Sequence, residues 1–148
     1  MSSYIQSIHH IIFTPYKRQP ILTKEKRPEL FKYVTGILKE KKCHLYQING
    51  VEDHIHILTH IHPTVALSNL VKDIKIASGK MIKKEGLFKK FQGWQNGYGG
   101  FTHSFKEKER LVLYIIKQEE HHKKVSFLEE FIRILEENGV EYDPKYLD

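Results

Sequence analysis

DHIHILTHIH, running from Asp53 to His62, is the stretch on which the reading of the fold turns. It alternates with a period of two. Ile55 and Ile57, with Leu58 toward the strand end, fall to one side, while His54 and His56 share the other. This is the pattern of a sheet strand with one apolar face, and Pro63 stops it. Just upstream, His44 to Ile48 is a second strand candidate, and Asn49-Gly50 is the strongest hairpin-turn signal in the chain. The two segments therefore predict an antiparallel hairpin.

Working outward, Ile8 to Thr14 (IHHIIFT) is rich in β-branched and aromatic residues and ends at Pro15, which predicts another strand. Thr23 is placed to cap a helix through about Lys42, in which Leu30, Phe31, Val34, Ile37 and Leu38 recur at helical spacing. On the other side, Leu67, Leu70, Val71, Ile74 and Met81 mark one stripe of a second helix. Lys72, Lys75, Lys80, Lys83 and Lys84 lie largely off that stripe. Residues 93–100 (GWQNGYGG) read as a loop, and residues 100–105 (GFTHSF) as a further strand. Lys106 to Lys123 reads as a helix around LVLYII. A last helix opens on the Ser126/Glu129 capping box, carries Phe127, Phe131, Ile134 and Leu135 on one face, and stops at Gly139. The order β-α-β-β-α-β-α-α predicts an α+β, ferredoxin-like (RRM-like) antiparallel sheet with helices on one face plus C-terminal helices.

The 148 residues fit one domain, 1–148, with no linker or internal repeat; 40% are hydrophobic and 28% charged, as in ordinary globular proteins. The net charge of +6 suggests a polyanionic partner. A single cysteine, Cys43, excludes an internal disulfide framework and a multi-cysteine zinc site, and its apolar neighbours predict a small buried hydrophobe. No apolar stretch is long enough to span a membrane and the N-terminus lacks a signal-peptide core, so the expected location is the cytoplasm. Neither a P-loop nor a Gly-x-Ser-x-Gly motif is present, so nucleotide and serine hydrolysis have no support.

Three constellations carry candidate chemistry. His54 and His56 point the same way with Cα atoms about 6.6 Å apart, within reach of one divalent ion. Taken alone, an H-x-H pair is more often two half-exposed histidines on a sheet face. His60 and His62 repeat the spacing, so spacing does not choose between the pairs. Tyr114 and Gln118, four apart on the expected helix, share a face. A tyrosine can attack phosphorus and hold a broken strand as an ester. With a phenol pKa near 10, it needs help such as a cation on the phosphate. Without other context a tyrosine in LVLYII is a core residue with its hydroxyl at the rim. Finally, Lys17, Arg18, Lys72, Lys75 and Lys80, interleaved with aromatics including Trp94, fit single-stranded nucleic acid and equally fit a solvated helix face over a core.

Taken together these residues resemble the single-tyrosine HUH transposases of small bacterial and archaeal insertion sequences. His54-Ile55-His56 stands in GVEDHIHILTHIHP, and IIFTPYKRQPIL is similar to the family's first strand and basic turn. ALSNLVKDIKIASGKMI, WQNGYGGFTHSF and YIIKQEEHHKK follow in the family's order, covering nearly the whole chain. The resemblance implies that His54, His56 and Gln118 hold Mg²⁺ or Mn²⁺, and that Tyr114 is the nucleophile. It implies a homodimer, and a substrate of single-stranded DNA with hairpins, cleaved to a 5′-phosphotyrosine and a free 3′-hydroxyl. His60, His62, His121 and His122 exceed what the motif requires and are candidates for phosphate contacts, for a second metal, or for no role. From the short stretch after Gly139 no accessory DNA-binding domain is expected. The rival readings are a host-adopted relative or replication nickase of the same class, a non-catalytic single-strand-binding module, and a structural protein sharing the fold. A pure binder has no need of His54, His56, Tyr114 and Gln118 together.

Overall fold

The computed structural model describes residues 1–147. Strands β1 (Ile8–Phe13), β2 (Leu45–Val51), β3 (His54–His60) and β4 (Gly99–His103) form one sheet in the order β2-β3-β1-β4, every neighbouring pair antiparallel. The central pair is in the register Ile11↔Ile57 and Ile12↔His56. Strand alternation then assigns the two faces. Ile11, Phe13, Ile55 and Ile57 pack beneath α1 (Arg27–Glu40) and α2 (Leu67–Glu85), against Leu30, Val34, Leu38, Leu70, Val71 and Ile74. Each such fully buried aliphatic side chain contributes about 1.5–3 kcal/mol. Cys43 belongs to the same core.

The C-terminal helices α3 (Lys108–Ile116), α4 (Gln118–His121) and α5 (Phe127–Glu137) cover the other face in two apolar clusters. Ile8 and Leu58 meet Leu111 and Ile115, while Ile12 and Phe101 meet Phe127, Ile134 and Leu135. His10, His54 and His56 lie on this second face, all buried. The α+β, ferredoxin-like order expected from the sequence is therefore the one observed. Leu58 differs: it shares the histidine face, as the parity of positions 54, 56 and 58 requires.

The hairpin turn also differs from expectation. Asn49 and Gly50 are inside β2, opposite His56 and Ile55, and the turn is Glu52-Asp53. Tertiary contacts override the local turn preference. Asn49 Nδ2 donates to the carbonyls of Ile115 and Ile116 at 2.9 and 3.2 Å, and a Cβ at Gly50 would lie 2.5 Å from the His54 carbonyl oxygen. The helix expected over 106–123 is broken. A 3-10 turn at Phe105–Glu107 precedes α3, and Lys117 interrupts the path into α4, next to the carbonyls held by Asn49. The first helix starts later than Thr23 suggested, at Arg27, whose buried guanidinium donates to the Leu22 carbonyl at 2.8 Å. Ser126 caps α5 as expected, accepting from the Glu129 amide at 3.2 Å.

Candidate active site

β3 is central and paired on both sides, which fixes the His54 and His56 backbones; the side chains then emerge under α4 and α5, fully buried. Each ring has one nitrogen committed to the protein and one directed inward. His54 Nδ1 is 2.8 Å from Asp53 Oδ1, and His56 Nδ1 is 2.7 Å from His10 Nε2. These partners turn both Nε2 atoms toward a common point, as orienting groups behind metal-bound histidines do. That point is the Glu130 carboxylate of α5. Oε1 is 3.3 Å from His54 Nε2, 3.1 Å from His56 Nε2 and 3.1 Å from His122 Nε2. Oε2 accepts from Gln118 Nε2 at 3.0 Å and from the Tyr114 hydroxyl, and His121 Nε2 lies 3.4 Å away. Gln118 Oε1 is in turn 3.1 Å from His54 Nε2.

The electrostatics follow from a carboxylate sealed among imidazoles. Burial alone would raise the Glu130 pKa, but its contacts with His122, His54 and His56 hold it far below the usual carboxylate range. Burial also opposes charge on His54, yet Asp53 and Glu130 outweigh it and raise its pKa to about 9. His56 has no Asp53 of its own, and burial lowers it to about 4 despite Glu130. Burial, followed by the adjacent Glu130 charge, pushes the Tyr114 phenol well above its ordinary value. Arg133 Nη2 donates to the same hydroxyl at 3.1 Å, with its guanidinium 5.6 Å from the ring centroid.

The donor set fits a cation. Ligand atoms of His54, His56, His122 and Glu130 all lie within 4.8 Å of one another, and Gln118 adds an amide oxygen at the His54 nitrogen. His122 Nε2 is buried and, although 3.1 Å from Glu130 Oε1, has no hydrogen-bond partner among the described residues. His121 Nε2 is likewise buried without a hydrogen-bond partner among them. Such orphaned nitrogens are costly unless something positive takes up their lone pairs.

The structure thus brings His54, His56, Tyr114 and Gln118 together and resolves which histidine pair joins the cluster. His60 instead accepts from the Ser7 amide and His62 pairs with Thr64. His121 and His122 join the site. Arg18 reaches its edge, with its guanidinium 5.6 Å from the Phe127 ring, which is itself 4.7 Å from His54. Lys17 is exposed beside Tyr16. Lys72, Lys75 and Lys80 belong to α2, beneath the opposite face. Lys75 Nζ donates to the carbonyls of Gln95 and Gly97 at 2.8 and 2.6 Å. Trp94 is committed to packing, its Nε1 donating to Ser78 at 3.0 Å and its ring set edge-on to Phe13 and Phe91.

Sequence reasoning missed Glu130 and His10. Glu130 left a trace: it stands between Phe127 and Ile134 at helical spacing, on the apolar stripe of α5. A carboxylate on a buried stripe needs partners. His10 gave no comparable sign, because its partner His56 is distant in sequence.

No curated protein matches the chain. A protein from Deinococcus radiodurans R1 described as a transposase, solved by crystallography, aligns with a TM-score of 0.61 at 22% identity, covering 80% of this chain and 95% of its own. A REP-associated tyrosine transposase, solved bound to a REP hairpin, aligns with a TM-score of 0.62 at 16% identity, covering 84% and 76%. Both likenesses concern the fold. The family model for IS200-like transposases matches residues 3–118, from before β1 to Gln118. With that match over most of its length and the HUH pair in its buried cluster, the chain belongs to the IS200-like, single-tyrosine HUH transposases.

Proposed function

We propose that residues 1–148 act as a single catalytic domain that cleaves and rejoins single-stranded DNA at insertion-sequence ends. The observation that carries this reading is the convergence of Tyr114, Gln118, His54, His56 and His122 on Glu130. The Tyr114 oxygen attacks the scissile phosphorus, the bond from phosphorus to the 3′ oxygen breaks, and the phenol proton is balanced by the proton gained at the released 3′-hydroxyl. The strand is left as a 5′-phosphotyrosine. Because one phosphodiester replaces another, a 3′-hydroxyl can reverse the step without a nucleotide cofactor.

His54, His56 and Gln118, joined by His122 and Glu130, would hold a divalent cation, which supplies positive charge for the phosphate oxygens. Imidazole-rich donors with one carboxylate favour Mn²⁺ over Mg²⁺. Glu130 accepts the phenol's hydrogen bond and keeps Tyr114 protonated while its charge is uncompensated. Arg133 orients the hydroxyl from the outer side. Arg18, at the edge of the site, and Lys17 beside it in the chain meet the DNA backbone. The substrate on this reading carries hairpins, in keeping with the hairpin held by the solved relative; as the family resemblance implies, two copies act as a homodimer.

The test mixes the protein and Mn²⁺ or Mg²⁺ with single-stranded DNA from both flanks of its own gene. A covalent protein–DNA band on a denaturing gel is expected, lost in Tyr114→Phe and with chelator. A band that survives Tyr114→Phe removes the nucleophile assignment. DNA retention without any band favours the non-catalytic binding module.

A further inference from the structure

A cavity of about 280 Å³ opens between the end of β1, the loop around Asn96 and α5. It is separated from the histidines by one aromatic ring, since Phe127 forms part of its wall and stands 4.7 Å from His54. Its size is below the roughly 300–1,000 Å³ of sites for drug-sized ligands, and suits one flat heterocycle. Tyr98, Phe131 and Tyr142 supply aromatic walls and Asn96 an amide able to donate and accept. Phe127 and Phe131 are stacked at 5.4 Å, giving a flat double surface.

Arg18 closes the end of the cavity nearest the site. Its guanidinium lies over Phe127, and its Nε is buried with no hydrogen-bond partner among the described residues. Lys17 and Arg18 both adopt left-handed backbone angles (φ 55° and 50°), a conformation that non-glycine residues hold only when their surroundings impose it. A hydrogen bond from the facing loop imposes it here, the Lys17 amide donating to Gln95 Oε1 at 2.9 Å. Opposite, Gly99 lets the loop approach α5, for a Cβ there would be 2.6 Å from the Phe131 ring. The chain thus holds a strained basic turn and a tight loop against an aromatic wall, beside the candidate active site.

We infer that this cavity is a single-nucleotide subsite for the DNA strand. One base next to the scissile phosphate swings out of the strand and lies among Tyr98, Phe131 and Tyr142, with Asn96 on its edge, while Arg18 takes its phosphate. A guanidinium matches phosphate oxygens two at a time, and aromatic rings accept any base face. This rests on the reading of the chain as an enzyme of single-stranded DNA.

The experiment measures binding of the full chain, by fluorescence anisotropy, to single-stranded DNA from each flank of its gene. The strand is then remade with one abasic nucleotide moved along it. One position is expected to weaken binding roughly ten- to hundredfold, the scale of one base stacked on aromatic rings. In Asn96→Trp, which fills the cavity from an exposed position, that same abasic substitution should cost nothing further. Arg18→Ala should weaken all strands, with Arg18→Lys recovering part of the loss; thermal melts check that each variant is folded. Absence of any abasic position whose effect disappears in Asn96→Trp overturns the subsite. If that happens while wild type still forms the covalent band, the transposase reading stands and only the subsite fails. A coupled position without a band keeps the subsite and removes strand cleavage instead. Failure to bind any of these strands removes both.

Discussion

His10 and Asp53 do their work one bond removed from the candidate ligands. By engaging Nδ1 of His56 and His54, they fix both rings with Nε2 inward, so less ordering remains when a cation binds. His10→Phe keeps a ring of similar shape in its buried place but removes the 2.7 Å contact. Affinity for Mn²⁺, read by titration calorimetry, should fall about ten- to hundredfold. An unchanged affinity would mean that the strand alone orients His56. Glu130 acts differently, through charge. Tyr114 is raised first by burial and then by this carboxylate, so Glu130→Gln should bring the metal-free phenol back toward its ordinary value near 10. The difference in ultraviolet tyrosinate titration between Glu130→Gln and the same variant carrying Tyr114→Phe measures this. A Tyr114 that titrates no lower than in wild type would assign the whole shift to burial.

The elements of the site are tied together by backbone contacts that small residues permit. Gly50 allows β2 to pass the His54 carbonyl, and Asn49 beside it holds the carbonyls of Ile115 and Ile116 where α3 gives way to α4. β2 therefore sets both the hairpin that carries His54 and the break that presents Gln118. Gly50→Ala forces a carbon to 2.5 Å from that oxygen, and overpacking of this kind costs about 1–3 kcal/mol. Urea unfolding should show the loss as a lower midpoint at constant slope. No loss would indicate that the hairpin shifts freely, and the His54 register with it.

At the scale of the whole chain, the sheet is a partition. One face is closed by α1 and α2 over an aliphatic core, and the other carries the histidines beneath α3, α4 and α5. The cluster draws on β1, β3, α3, α4 and α5, all held in one arrangement only in the folded state. A cation that binds this arrangement and not the unfolded chain must stabilise the fold, by about 2.7 kcal/mol at a hundredfold excess over Kd. Mn²⁺ should therefore raise the melting temperature and chelator reverse it. His54→Ala combined with His56→Ala should abolish the shift; a shift that persists in that variant would place the cation elsewhere.

Sequence by itself determined the strand order and the helices apart from the break at Lys117, because period-two and helical spacing record which side chains face the core, and each element carries its own pattern. It also determined the H-x-H pair and its face, since strand geometry relates neighbours two apart. Local signals failed where a distant contact had the stronger claim: Asn49-Gly50 became strand because α3 and the His54 carbonyl required it. Spacing had no preference between His54/His56 and His60/His62, and the family resemblance pointed to the first pair. Only the tertiary structure shows that pair sharing a cluster with Tyr114, because identical spacing means nothing until another element packs over it. It alone added His10, His122 and Glu130, which join the site from different elements. Their meeting depends on the folding of α5 over the sheet, an event that no window of sequence contains.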